Sequence, residues 1–361
     1  MIWLLLIPVI PYFLLFIILA RKVPLKIFTD SDTGKRTGIT IIIPCRNEEE
    51  TLPGILNTIV NQNYPAQYIE VIVADDHSGD GTASTAKSYS DRLNISVTKA
   101  RERGKKAAIA EAVSAAKNDL IITTDADCKA GSKWISAIAA FRSSTGADLI
   151  ICPVMPEAQS GCFHEIQRLE FLSLQGVTSS SSEYGSPVMC NGANLAFTRD
   201  AYLRNRHRLH TEIESGDDMF LLHAIKKEKG KIRWLNSPDA IIKTLPPAGL
   251  KEFIRQRARW ISKAGAINDL YTNVAGIVTF VTILNLNLLL VSGVINPEYL
   301  AVFAVCLLIK SVPDYLIIKR AMALYGEKHL LKWFIPAEFL YQWYVTAVVI
   351  RSFFANKWRE K

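Results

Sequence analysis

The chain has 361 residues, of which 49% are hydrophobic and 21% charged, with 42 Lys and Arg against 34 Asp and Glu. With a mean hydropathy of +0.15, these fractions exclude intrinsic disorder and a low-complexity scaffold, and the average is too apolar for an ordinary soluble enzyme; the formal charge is +8. The apolar excess lies at the two ends, and the roughly 230 mixed residues between them suffice for one large domain, so the sequence describes a membrane-attached globular protein.

Residues 1 to 20 (MIWLLLIPVIPYFLLFIILA) carry no charged side chain and match a bilayer span in length. They lack a positive leader region and a small-residue cleavage site, which predicts an uncleaved anchor, kinked at Pro8 and Pro11. Arg21, Lys22 and Lys26 follow, so the positive-inside bias places the amino terminus outside and the next domain in the cytoplasm. From Gly38 the chain alternates β-branched runs, at 39 to 43, 69 to 73, 95 to 98, 120 to 124 and 147 to 151, with helical patterns at 48 to 62, 81 to 90, 104 to 117 and 132 to 142. Continuous apolar strands separated by helices predict an α/β fold with a mostly parallel sheet covered on both faces. Further on, residues 250 to 262 form a basic amphipathic helix, and 272 to 295 is uncharged and long enough to span. The run at 299 to 318 contains Lys310 and Asp314 four apart on one helical face, a pair able to neutralise itself inside a bundle, and the run at 333 to 350 carries Glu338. Four crossings from an outside start would leave RSFFANKWREK outside, against the positive-inside bias, so one segment is expected to be re-entrant or interfacial.

In parallel sheets the ligand sits beyond the carboxyl ends of the strands. Those ends carry Pro44, Arg46, Asn47 and Glu48 after the first strand, Asp75 and Asp76 after the second, and Asp125 and Asp127 after the fourth. Asp125-Ala126-Asp127 either caps a turn or holds a hard divalent cation, Mg2+ or Mn2+, completed by water and phosphate oxygens. Asp75 and Asp76, acceptors only, suit base N–H or ribose hydroxyl groups of a nucleotide. Lys105 and Lys106 offer a cation to a diphosphate. SGDGTAS resembles a dinucleotide loop but has Ser84 at the third glycine position, and Gly104-Lys105-Lys106 lacks the rest of a phosphate loop. Asp217 and Asp218 head an apolar helical stretch, which suits a helix cap as well as a general base. In QRARW (256 to 260), the arginines suit either lipid headgroups or a diphosphate.

The six cysteines show no paired metal-binding spacing, so reduced thiols are expected, and His207 and His210 are too isolated for a metal site. Basic residues cluster near the expected membrane edges (Arg21, Lys22, Lys26; Arg255, Arg257, Arg259; Lys319, Arg320), which points to anionic lipid and away from nucleic acid.

PCRNEEETLPGIL, VADDHSGDGT, RGKKAAIAEAV, TTDADC, GDDMFLL and QRARW occur in the order seen in family 2 glycosyltransferases of the GT-A fold, over about residues 38 to 261. With its flanking apolar runs the chain resembles the membrane-bound QxxRW branch, which includes ceramide glucosyltransferases and poly-N-acetylglucosamine, hyaluronan and cellulose synthases. The resemblance implies a Rossmann-like GT-A domain and inverting transfer from a nucleotide diphosphate sugar, with a lean to uridine, onto a lipid-linked or glycan acceptor at the cell membrane. It implies nucleotide contacts from Asp75 and Asp76 and a metal-binding DxD in Asp125 and Asp127. Asp218 matches the catalytic base, with Asp217 standing where the family usually has Glu. Gln256, Arg259 and Trp260 match the residues that line the acceptor and diphosphate side, and CNGANLAFTRDAY (190 to 202) resembles the acceptor-side loop and helix. The expected partition is an anchor at 1–22, the GT-A domain at 38–248, an interfacial helix with QxxRW at 249–270, a transmembrane region at 271–351 and a basic tail at 352–361. QxxRW also permits a processive polysaccharide synthase, although so few spans leave little helix to enclose a channel. A non-catalytic scaffold retaining the fold is the remaining alternative, opposed by carboxylates at every matched position.

Overall fold

The computed structural model describes residues 2–29, 36–210, 213 and 216–355. Packing divides the chain into two units, Lys26–Glu157 with Met189–Leu245, and Met1–Leu25 with Ala158–Val188 and Pro246–Lys361.

The first unit is an α/β sheet domain. Its strands are β1 (Ile39–Cys45), β2 (Ile69–Asp75), β3 (Ile95–Lys99), β4 (Leu120–Thr123), β5 (Lys129–Ala130), β6 (Leu149–Ile151), β7 (Val154–Pro156), β8 (Leu195–Thr198), β9 (Ile232–Trp234) and β10 (Ile242–Thr244). Seven of them form one sheet in the order β3-β2-β1-β4-β8-β6-β9, and β5-β10-β7 form a small second sheet. All five expected strands are present. The sheet is mixed, because β8 runs antiparallel to both β4 and β6, while β3, β2, β1 and β4 pair in parallel. β1 and β2 are buried along nearly their whole length, as isoleucine and valine on both faces require in a covered sheet. Ile39, Ile41 and Ile43 pack with Leu52, Ile55 and Ile59 of the helix Leu52–Val60, all essentially without exposure. The expected helices form at Leu52–Val60, Thr82–Lys87, Lys105–Ala115 and Trp134–Thr145, each within a few residues of the pattern. Within the sheet core, Glu70 is buried but satisfied, accepting from the Thr40 hydroxyl at 2.6 Å and the Lys117 amide at 2.9 Å.

The second unit is helical. Among the described residues, three helices are long and apolar enough to cross a membrane: Ile2–Lys22, Leu270–Ser292 and Glu298–Tyr325. The expected kink in the first is a break, with a tight turn over Ile2–Leu6 and a regular helix only from Val9 to Lys22. Carbonyls left at the break are bonded, Leu5 O by the Asn285 amide at 3.0 Å and Pro8 O by the Thr282 hydroxyl at 3.2 Å, as an apolar setting demands. Phe334–Ala355 is helical as expected but falls outside the three candidates, since Glu338, Gln342 and a run of Tyr and Trp make it less apolar. Residues 356–361 of the expected basic tail lie outside the described residues.

Cys162–Glu183, a 22-residue helix that the sequence pattern does not announce, belongs to this unit. Its second half, QGVTSSSSE, reads as a loop, yet Thr178 and Ser179 to Ser182 are buried. Their hydroxyls donate to carbonyls three or four residues back, at 2.7 to 3.1 Å, which satisfies every donor within the helix, and Ser181 Oγ also accepts from the Val188 amide at 3.3 Å. A Cβ at Gly176 would collide with the Ile317 side chain, so glycine is what permits this close helix approach.

A buried charge cluster joins three segments of the unit. Lys310, 1% exposed, donates to Asp314 at 2.6 Å and to Glu338 at 2.8 Å, while the Tyr12 hydroxyl donates to the other Asp314 oxygen at 2.7 Å. The Lys310–Asp314 pair is the one expected from their spacing; Glu338 and Tyr12 complete it. Removing one partner of such a pair leaves uncompensated buried charge, at a cost of about 3–5 kcal/mol. Lys310→Met is therefore expected to lower the thermal unfolding midpoint in detergent sharply. The triple change Lys310→Met, Asp314→Leu, Glu338→Gln is expected to recover most of the loss; an unchanged midpoint in the single variant would contradict the role of the cluster.

Candidate active site

The polar groups of the sheet unit gather where the sequence places them, beyond the carboxyl ends of the parallel strands. The loops after β1 and β2 are stitched together. Ser78 Oγ accepts from the Asn47 amide at 3.0 Å, and Asn47 Oδ1 accepts from the Gly79 amide at 2.8 Å. Thr82 Oγ1 accepts from the Glu48 amide at 2.9 Å. Asn47 and His77 both stand at φ 57°, the left-handed region, which turns the chain sharply at each strand end; asparagine tolerates that region better than most residues. Pro44 lies in β1, half-buried, and the exposed Arg46 reaches Asp76 at 3.9 Å.

Asp75 and Asp76 are buried, at 5% and 6% exposure, and each is held by backbone: Asp75 Oδ1 accepts from the Ser78 amide at 3.0 Å, Asp76 Oδ1 from the Gly104 amide at 2.7 Å. The second bond ties the end of β2 to the residue preceding the helix Lys105–Ala115. Lys105 then donates to Asp125 Oδ1 at 2.6 Å, with both side chains over a third exposed. Burial alone would lower the pKa of Lys105, but Asp125, followed by Asp217 and Asp218, outweighs it and holds the ammonium above the ordinary lysine value. Asp127 accepts from the Thr244 hydroxyl at 3.3 Å; burial, with Asp125 beside it, pushes its carboxyl above the usual range.

Asp217 and Asp218 open the helix Asp217–Lys227, where the N-terminal dipole favours their charge. Gly216 precedes them at φ 87°. Asp218 Oδ2 accepts from the Gly192 amide at 2.9 Å and Oδ1 from the Met219 amide at 2.7 Å, which fixes the plane of the carboxylate. Lys106 does not face the strand ends: buried, it donates to the carbonyls of Leu209 and His210 and lies 4.2 Å from the Phe220 ring, tethering the segment that leads to this helix. The stretch 190 to 202 supplies β8 as well as a loop and a helix, and Asn194 inside it accepts from Trp134 Nε1 at 3.0 Å.

Gln256, Arg259 and Trp260 lie on the helix Leu250–Ile261 of the other unit. Gln256 and Trp260 are half-buried and Arg259 is exposed. Arg257, given no role by the sequence beyond a basic membrane edge, is buried and paired with Glu170. Gly104 and Gly192 lie inside motifs that the sequence singles out but have no individual role there, since each acts through its backbone amide, and Thr244 acts through a contact distant in the chain. All six cysteines are free thiols, and burial pushes those of Cys45, Cys128 and Cys152 well up.

This strand order, with carboxylates clustered past the parallel strand ends, defines an α/β domain of the GT-A class. Residues 40–203 match the family model described as Glycosyl transferase family 2. Among solved structures, the mannosyltransferase PcManGT from Pyrobaculum calidifontis, in complex with GDP-Man and Mn2+, aligns over 98% of this chain and 99% of its own with a TM-score of 0.64 at 20% identity. Glycosyltransferase AglE of Haloferax volcanii is 31% identical over 115 residues, 31% of this chain and 38% of that one. An N-acetylglucosaminyltransferase of Rhizobium leguminosarum bv. viciae is 24% identical over 244 residues, 64% of this chain. The chain spans 38% of the length of the first of these curated relatives and 56% of the second.

The strand-end turn makes a direct test. Asn47→Val places a β-branched side chain in the left-handed region and removes the bond to Gly79, so stability is expected to fall by about 1–2 kcal/mol. Thermal unfolding followed by tryptophan fluorescence measures it; an unaltered midpoint would show that the turn is not under this constraint.

Proposed function

We propose that the protein is a membrane-bound inverting glycosyltransferase that moves N-acetylglucosamine from its uridine diphosphate donor to a lipid-linked or glycan acceptor at the cytoplasmic face of the cell membrane. The observation that carries this reading is the position of Lys105, bonded to Asp125 and within the field of Asp217 and Asp218. The charge of both sets of carboxylates, those at the strand ends and those at the helix start, acts on this one cation, and a donor and its attacking hydroxyl would need both. The curated relatives named N-acetylglucosaminyltransferase favour that sugar.

Asp75 and Asp76, oriented by the Ser78 and Gly104 amides, would accept from the nucleoside. Pro44, Arg46, Asn47 and Glu48 would form the adjoining wall. Asp125 and Asp127 offer two hard oxygen ligands, and among the described residues no third His, Cys, Asp or Glu joins a metal-binding group. Such a pair fits Mg2+ or Mn2+ with diphosphate and water filling the remaining positions. Bound there, the cation would supply electrostatic stabilisation to the leaving diphosphate. The mannosyltransferase of like fold, described with GDP-Man and Mn2+, accords with this. Asp218 would take the proton of the acceptor hydroxyl as general base, its plane held by the Gly192 and Met219 amides. On the helix Leu250–Ile261, the exposed guanidinium of Arg259 would suit a diphosphate, and Gln256 and Trp260 would suit an acceptor sugar.

Membrane topology follows from charge. With Arg21, Lys22 and Lys26 cytoplasmic, three crossings return the chain to the cytoplasm at Tyr325, and Phe334–Ala355 is the segment that does not cross. This assignment removes the conflict that four crossings create with the basic carboxyl-terminal residues.

Asp218→Asn is expected to keep donor affinity and lose turnover by about 100-fold, the scale of a general base. If Asp217→Asn shows that pattern instead, the base is the neighbouring carboxylate. Label from UDP-N-acetylglucosamine, offered to membranes containing the protein, is expected in the lipid or glycan fraction; transfer from GDP-mannose alone would overturn the donor assignment.

A further inference from the structure

The helix Leu250–Ile261 carries a side-chain arrangement that its motif does not reveal. Phe253, Arg257 and Trp260 recur at helical spacing on one face, and Phe253 and Arg257 are buried, at 4% and 6% exposure. Its guanidinium meets the Glu170 carboxylate as a fork, Nε to Oε1 at 3.1 Å and Nη2 to Oε2 at 2.6 Å, and Glu170 comes from the helix Cys162–Glu183. The remaining terminal nitrogen, Nη1, donates to Gln256 Oε1 at 2.5 Å. The guanidinium carbon also lies 4.2 Å from the centroid of the Trp260 ring and 4.6 Å from that of Phe253. Tyr344 donates its hydroxyl to Glu170 Oε1 at 3.2 Å, so the carboxylate is fixed from a third helix.

We propose that Glu170 and Arg257 are positioning residues for the transfer reaction: their buried ion pair sets the orientation of Gln256 and Trp260. The proposal rests on the reading of QRARW as part of the transfer site. With Oε1 of Gln256 committed to Arg257, the amide has its two N–H donors to offer, which suits the oxygen atoms of an acceptor sugar or a diphosphate. The indole of Trp260 lies against a cation that the bidentate fork on Glu170 holds in place. Two of the three motif residues are therefore held by the arginine between them. Lysine at 257 would keep the charge and lose the fork, the bond to Gln256 and the stacking plane.

The test compares Arg257→Lys, Glu170→Gln, Gln256→Ala and Trp260→Ala in the full chain in detergent, with turnover expressed per nucleoside diphosphate binding site counted by titration with UDP and Mn2+. Misplacement of a substrate-positioning group by about 1 Å costs on the order of 100-fold. Arg257→Lys and Glu170→Gln are expected to lower kcat per site by 10- to 100-fold with donor KM unchanged. Combining Arg257→Lys with Trp260→Ala is expected to add little beyond either alone, as for residues acting as a unit. Wild-type kcat per site in both charge variants, alongside a loss in Gln256→Ala or Trp260→Ala, overturns the positioning role and leaves the reading of QRARW standing. Wild-type kcat in both Gln256→Ala and Trp260→Ala overturns that reading and the proposal with it. A fall only in the number of binding sites, with kcat per site intact, shows a merely structural pair and also overturns it. Should the charge variants fail to fold, Tyr344→Phe removes one hydroxyl from the same cluster; about a fivefold lower kcat per site, the scale of one hydrogen bond, is expected, and wild-type kcat overturns the proposal.

Discussion

The interaction on which the site depends is the ion pair between Lys105 and Asp125. Carboxylates crowd the strand ends and the start of the helix Asp217–Lys227, and like charges at close range oppose the folded state unless something compensates them. Lys105 supplies that compensation, and Asp76, through the Gly104 amide, holds the turn from which Lys105 projects. Three stretches distant in sequence, after β2, before Lys105–Ala115 and after β4, thereby become one arrangement. A diphosphate carrying its own cation would meet both the lysine and the aspartates it neutralises, so the same electrostatics that permit folding would prepare the site for its ligand.

The helical unit solves a related problem by different means. Lys310, Asp314 and Glu338 are buried together and satisfied by one another, by Tyr12 and by Ser311. Arg257 and Glu170 do the same closer to the motif residues. In apolar surroundings an ion pair specifies which helices meet, because any other pairing would strand a charge. Serine hydroxyls that donate within their own helix and Gly176 against Ile317 allow close packing.

The sheet was legible wherever local composition and structure agree. β1 and β2 are runs of isoleucine and valine that only a covered parallel strand accommodates, and the acidic residues that follow them could be placed at the ligand-binding edge from order alone. β8 was not legible: Leu195–Thr198 is four residues long, and its antiparallel place between β4 and β6 is set by long-range pairing. Cys162–Glu183 was hidden because four consecutive serines read as a loop until burial forces their hydroxyls onto the helix backbone. Lys310 with Asp314 was visible from their spacing on one helix, whereas Glu338 and Tyr12 come from segments 28 and about 300 residues away. Arg257 shows the limit most clearly, since a basic residue near a membrane edge carries no sign in its sequence of the carboxylate it meets.

Asp125, Asp127 and Lys105 are proposed to hold a nucleoside diphosphate together with a divalent cation. Calorimetric titration of the full chain in detergent with UDP, with and without Mn2+, measures this. UDP binding is expected to tighten at least tenfold with Mn2+ in the wild type and to lose that dependence in Asp127→Ala. Equal affinity with and without the cation in the wild type, or undiminished dependence in Asp127→Ala, would contradict it.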